Sequence, residues 1–136
     1  VINYSNLPQA LLTNPVRFNS ILQNLISNAI KYCSKGVVPS ITIDAEEQPE
    51  CWQFRIKDNG IGINPAYFEK IFEPFQRLHL KHEYHGTGVG LAICRKTVES
   101  LHGKIWLESA LGKGSCFYFT LPKEPDTSFI TKHQMD

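Results

Sequence analysis

The sequence predicts an α+β fold: a two-layer α/β sandwich with a mixed, mostly antiparallel sheet and about three helices on one face. Three observations lead there. Segments of helical period alternate with short segments of strand period. The strands come in hairpin pairs, which need no helical crossover. No internal repeat suggests a solenoid or propeller. Helices alternating with hairpins leave each sheet one face to cover, and the helices cover it.

Residues 1 to 13 read as two short extended pieces around Asn6-Leu7-Pro8. Asn14-Pro15 opens a helix, with Asn as the cap and Pro at the first helical position. It runs to about Tyr32 and stops near Lys35-Gly36. Val37 to Ala45 and Cys51 to Lys57 read as strands joined by a Gln48-Pro49-Glu50 turn. The second alternates, with Trp52, Phe54 and Ile56 on one face and Gln53, Arg55 and Lys57 on the other. A short helix is expected after Asn64-Pro65, and a polar, histidine-rich loop over 73 to 86. A third helix spans about Thr87 to Leu101, with Leu91, Val98 and Leu101 among its core positions, and His102-Gly103 ends it. Two strands, about 104 to 109 and 115 to 121, flank the Gly112-Lys113-Gly114 turn. One domain over residues 1–122 is therefore expected, with 123–136 as a linker or disordered tail.

At 136 residues, 42% apolar and 20% charged, the chain is of ordinary globular composition. A net charge of +1 supplies no field for nucleic acid or an anionic membrane, so neither is expected as a partner. No apolar run approaches a membrane span and no signal peptide opens the chain. The start Val-Ile-Asn-Tyr reads as an excised piece of a longer protein. Cysteines at 33, 51, 94 and 116 form no CxxC pair, which argues against zinc and for a reducing, cytoplasmic setting.

On a helical wheel, Leu22, Leu25, Ile26, Ala29, Ile30 and Cys33 form the expected buried face of the first helix. Ile21 and Tyr32 lie at its border, and Arg17, Asn24, Asn28 and Lys31 share one shoulder. That shoulder is either a solvated face or a ligand edge, with amide oxygen for a hard cation and donors for phosphate. Asp58 keeps the parity of Trp52, Phe54 and Ile56, so it points to the core side, where a carboxylate needs a donor. Asn59-Gly60-Ile61-Gly62-Ile63 comes next. Asp58 either caps this turn or accepts a hydrogen bond from a nucleobase amine.

Gly86-Thr87-Gly88-Val89-Gly90-Leu91 opens the third helix with free amides suited to phosphate. Its spacing is neither that of a dinucleotide fingerprint nor that of a P-loop. A polar loop ending in glycines suggests a hinged lid. Arg77 is placed to clamp a phosphate or to form a surface ion pair. His79, His82 and His85 lack the acidic or thiol partners of a metal site, apart from Glu83.

Four segments then stand in order: Asn24-Leu-Ile-Ser-Asn28-Ala-Ile-Lys31-Tyr32, Asp58-Asn-Gly-Ile-Gly-Ile63, Phe72-Glu-Pro-Phe75-Gln-Arg77 and Gly86-Thr-Gly-Val-Gly-Leu91. Together they resemble the four boxes of the catalytic, ATP-binding domain of sensor histidine kinases, over about residues 3 to 122. The stretch Phe75-Gln-Arg-Leu-His79 with Glu83-Tyr84 looks like the phytochrome-type kinases. The resemblance implies a Bergerat fold with ATP and Mg2+ as cofactors. It makes Asn28 the magnesium ligand, sets Asn24 and Lys31 near the phosphates, and sets Tyr32 near the ribose. Asp58 would read adenine, with Gly60, Gly62 and Ile63 in the base pocket. Phe72 and Phe75 would anchor the lid. Arg77 would meet the γ-phosphate, and the amides of Gly86, Thr87, Gly88, Val89, Gly90 and Leu91 would hold the phosphates. Asn24, Lys31 and Arg77 are thus the expected catalytic set. Asn14 departs from the aspartate that relatives often carry before this helix, which affects a cap and not the site.

The likeness extends more weakly to topoisomerase, MutL and chaperone ATPases and to anti-sigma kinases. Those place a glutamate base where this chain has Asn24. An amide takes no proton, so transfer to histidine is expected over hydrolysis. None of the five histidines has the context of a phosphoacceptor. The expected partners are a dimerisation/histidine phosphoacceptor domain of the same protein, absent here, and a response regulator receiver domain downstream. The parent protein is membrane-bound or soluble. An ATP-hydrolysing relative and a non-catalytic nucleotide-binding module are the competing functions.

Overall fold

The computed structural model describes residues 1–74 and 90–124. In chain order the elements are β1 (Ile2–Ser5), α1 (Pro15–Lys31), β2 (Ile41–Glu47), β3 (Cys51–Asp58), two 3-10 turns (Pro65–Tyr67 and Lys70–Phe72), α2 (Gly90–Ser100), β4 (Ile105–Ser109) and β5 (Ser115–Pro122). The strands form one sheet in the order β1-β2-β3-β5-β4. Among the described residues β1–β2 is the one parallel pair, and the other pairings are antiparallel. This is the expected sandwich. The short helix expected after Asn64-Pro65 is a pair of 3-10 turns and not an α-helix, because each is a single turn of three residues.

The helices cover one face. Ile41, Ile43, Phe54, Ile56, Phe117, Phe119 and Leu121 project into the core against Ile21, Leu25, Cys94 and Val98. Phe54 and Phe119 stack at 4.9 Å beneath the tilted ring of Phe18. Burial pushes the Cys94 thiol up to about 12. The opposite face is polar, where Arg55 donates two hydrogen bonds of 2.6 and 2.8 Å to Asp44.

Three expectations shift in detail. The strand expected from Val37 starts at Ile41, because Pro39 has no amide to donate and Asn59 holds the preceding stretch. The Asn59 side chain accepts from the Ser40 amide and donates to the Val38 carbonyl. The buried stripe of α1 is rotated from the one expected. Ile21 is fully buried, whereas Ile30 is 50% exposed. The cause is α2, which packs alongside. The Cys94 thiol lies 3.9 Å from the Ile21 carbonyl, and Arg17 donates to the Ser100 hydroxyl. Of the second extended piece expected before α1, no strand forms among the described residues.

The Asn14 side chain accepts from the Arg17 amide and caps α1, with Pro15 following. The β5 ladder runs through Pro122, and Lys123 beyond it donates to the Glu50 carbonyl and pairs with Glu47. Residues 125–136 of the expected tail lie outside the described residues. Among the described residues no helix is long and apolar enough to cross a membrane.

Candidate functional site

The site is built where the C-terminal half of α1 meets the turn after β3 and the start of α2. Ile21, Asn24 and Asn28 succeed one another at helical spacing, so burying Ile21 against α2 brings both asparagines toward the α1–α2 groove. Both are half-buried. Neither side-chain amide has a hydrogen-bond partner among the described residues, and neither is a sealed, unpaired polar group. Each is therefore available to a ligand. Lys31, on the same shoulder, is exposed.

Gly90 opens α2 directly opposite Asn24. A Cβ built on Gly90 would stand 3.5 Å from Asn24 Oδ1. Gly90 of the glycine motif and the first asparagine of this shoulder's pair are thus neighbours in space, although they lie far apart in the chain. Leu91 is half-buried and packs on the core. Phe72, also buried, sits edge-on to Phe117 at 6.4 Å. Phe75, Arg77, Gly86, Thr87, Gly88 and Val89, together with the three loop histidines, lie outside the described residues.

The second wall is the turn after β3. Asp58 Oδ1 accepts from the Gly60 amide at 2.8 Å and from the Ser115 amide at 3.1 Å. Two donors on one oxygen fix the carboxylate plane, while Oδ2 has no partner among the described residues. Burial raises the Asp58 carboxyl above its ordinary value of 3.8, and the two amides oppose that rise. Asp58 thus caps its own turn through one oxygen and leaves the other open.

The glycines explain how closely the parts approach. The Tyr32 carbonyl, at the end of α1, accepts from the Ile61 amide at 2.9 Å. A Cβ on Gly60 would stand 2.7 Å from that same oxygen. Gly62 has φ +79, and a Cβ there would fall 2.0 Å from the Ala110 carbonyl oxygen. The Ile63 amide donates to the Ser109 hydroxyl at 2.7 Å, and Ser109 donates onward to the Gly114 carbonyl at 2.8 Å. Ser109 and Ser115 also share a 2.7 Å hydrogen bond.

Sequence reasoning misses Ser109, Gly114 and Ser115. They hold Asp58 and its turn from β4, β5 and the turn between them, far downstream in the chain. The Gly112-Lys113-Gly114 turn is visible in the sequence only as a hairpin. Its φ of +78 at Gly114, where a Cβ would meet the Asp58 carbonyl oxygen at 2.2 Å, depends on a tertiary neighbour.

A divalent ion fits this donor set in one way. Asn28 offers a neutral oxygen suited to a hard cation. Among the described residues no group of three His, Cys, Asp or Glu side chains could hold a metal without a ligand's help. Such a site would be completed by the ligand's own oxygens.

Residues 13–125 match the family described as histidine kinase-, DNA gyrase B- and HSP90-like ATPase. The chain is 49% identical over 121 residues to cyanobacterial phytochrome A of Nostoc sp. (strain PCC 7120), covering 89% of this chain and 16% of that protein. It is similar in structure to the nucleotide-free catalytic domain of histidine kinase ThkA, with a TM-score of 0.73, 31% identity and coverage of 91% of this chain and 79% of that one. It also resembles full-length ShkA in complex with AMPPNP, with a TM-score of 0.75 and 27% identity, covering 91% of this chain and 26% of ShkA. The chain thus spans less than a fifth of the phytochrome it matches.

Proposed function

Because the chain belongs to the histidine kinase-, DNA gyrase B- and HSP90-like ATPase family, as a histidine kinase catalytic domain, we propose that it binds Mg-ATP and donates the γ-phosphate to a histidine on a separate domain. The observation that carries this reading is Asp58. Its Oδ1 is immobilised by Gly60 and Ser115, and its Oδ2 stays available to the exocyclic amine of adenine. A carboxylate so fixed favours adenine, which offers a donor there, over guanine, which offers a carbonyl.

Gly60, Gly62 and Ile63 line the base pocket in this reading. Tyr32 lies toward the ribose, and Asn24 and Lys31 lie beside the phosphates. The amides of Gly90 and Leu91, at the start of α2, donate to the phosphates with the favourable end of the helix dipole. Gly86, Thr87, Gly88, Val89 and Arg77 are assigned to the phosphates through the family resemblance. Asn28 would hold magnesium, which when bound neutralises charge on the phosphate oxygens.

Asn24 bears on the fate of the γ-phosphate. Activating water requires a group that accepts a proton, and an amide does not. A neutral imidazole already carries a nucleophilic lone pair and needs only positioning. Transfer to histidine is therefore favoured over hydrolysis. The acceptor would be a dimerisation/histidine phosphoacceptor domain of the parent protein, with a response regulator receiver domain downstream.

Binding of AMP-PNP with and without magnesium, in the wild type and in Asn28→Ala and Asp58→Asn, tests the site. Unchanged affinity in both variants sinks the assignment. Adding a cognate phosphoacceptor domain should yield phosphohistidine. Steady phosphate release by the isolated chain would instead support a hydrolase.

A further inference from the structure

Among the described residues Arg95 makes three contacts from one guanidinium. Nη1 lies 3.2 Å from Glu69 Oε2, and Nε lies 3.1 Å from Glu99 Oε1. Its central carbon stands 5.2 Å from the centroid of the Phe72 ring. Glu99 is one turn along α2, but Glu69 and Phe72 belong to the 3-10 turn region on the other side of the 75–89 segment. Phe72 in turn packs on Phe117 of β5. Arg95 therefore ties α2 to the sheet through the Lys70–Phe72 turn.

We propose that Arg95 is a positioning residue for the triphosphate end of the nucleotide. The inference rests on the ATP-binding reading above. α2 carries Gly90 against Asn24, so the placement of α2 sets how far its first amides stand from that edge of α1. The adenine end is built independently. Asp58, Gly60, Ser115 and the Tyr32 carbonyl are joined to each other, and none of those joints involves Arg95. Loosening α2 should weaken grip on the phosphates and leave the base pocket alone.

The planar fork matters as well as the charge. Two carboxylates and a ring face are met at once, and a lysine ammonium cannot hold that geometry. Each exposed ion pair is individually weak, as is an exposed cation–π contact. Their joint effect on phosphate binding is expected at about fivefold, within the range those contacts allow.

The test is calorimetric titration of the 136-residue chain with Mg-AMP-PNP, and with adenosine by competition. Arg95→Met should weaken Mg-AMP-PNP about fivefold and adenosine by less than about twofold, with Arg95→Lys and Glu69→Gln intermediate. An equal loss for both ligands would reveal a general structural role and overturn the proposal. So would unchanged Mg-AMP-PNP binding in all three variants while Asn28→Ala and Asp58→Asn still weaken it. Should Arg95→Met not fold, Arg95→Lys and Glu69→Gln carry the same comparison. If Asn28→Ala and Asp58→Asn bind normally, the nucleotide reading itself fails, and the role of Arg95 with it.

Discussion

The carbonyl oxygen of Tyr32 accepts a 2.9 Å hydrogen bond from the amide of Ile61, which joins the end of α1 to the turn that carries Asp58. That joint leaves no room for a side chain on the intervening surface. Gly60→Ala would set a Cβ 2.7 Å from the same oxygen and 3.0 Å from Asp58 Oδ1. The turn would have to move away from α1 and take the carboxylate with it. Weaker AMP-PNP binding is expected, together with a lowered melting temperature.

Gly62 and Gly112 separate backbone conformation from close approach. Both have positive φ, at +79 and +80. An alanine at Gly112 meets nothing within 4 Å, so it should cost only the left-handed conformation, about 1 kcal/mol. At Gly62 the new Cβ would overlap the Ala110 carbonyl, so Gly62→Ala should cost clearly more, about 3 kcal/mol or above. Urea unfolding of the two variants checks the order. Equal losses would mean that the Gly62–Ala110 contact relaxes freely.

Asp58→Asn should part stability from binding. The amide oxygen can replace Oδ1 in accepting from Gly60 and Ser115, so stability should change by less than about 1 kcal/mol. Adenine loses a charged acceptor, and affinity should fall about tenfold or more. The pH dependence comes from the raised carboxyl. Its folded-state value lies above the unfolded one, so ionised Asp58 opposes folding at neutral pH. That penalty is relieved as pH falls through the raised value, and it is gone below 3.8. Nucleotide binding runs the other way and weakens over the same descent, because the protonated carboxyl is a poorer acceptor. A binding titration toward acid pH should show this loss in the wild type and not in Asp58→Asn.

These residues also show what a sequence can and cannot reveal. Asp58 is legible because strand parity places it on the core side with Phe54 and Ile56, and both of these are buried. Asn24 and Asn28 are legible as a shoulder, but not as a groove. The wheel puts Ile21 at the border, and only the presence of α2 makes it core. The pattern on one helix carries no information about its neighbour. Ser115 is silent for a related reason. Its contribution is a backbone amide, which every residue but proline possesses, and only the β3–β5 register brings it to Asp58.

Phe54 bears on the scaffold and not on the chemistry. Its ring is fully buried, stacked on Phe119 and tilted against Phe18 at 5.5 Å, so it binds α1 to the central strands. Phe54→Ala should destabilise by about 3–5 kcal/mol. Chemical denaturation should show the loss, and a cost under about 1 kcal/mol would mean that the α1–sheet interface collapses to fill the space.

Asn24 offers the sharpest test of transfer against hydrolysis. Asn24→Glu adds one methylene and a carboxylate beside Gly90, at the helix edge where the phosphates are proposed to lie. The charge should repel phosphate and weaken AMP-PNP binding. The same carboxylate can take a proton from water, an ability worth about 100-fold or more when a base is well placed. An installed base is not optimised, so a rise of about tenfold in steady phosphate release is the expected outcome, still within the reach of general-base catalysis. Asn24→Gln adds the same length without a proton acceptor and should release no more phosphate than the wild type. If glutamate and glutamine behave alike, the missing base at position 24 is not what separates transfer from hydrolysis in this chain.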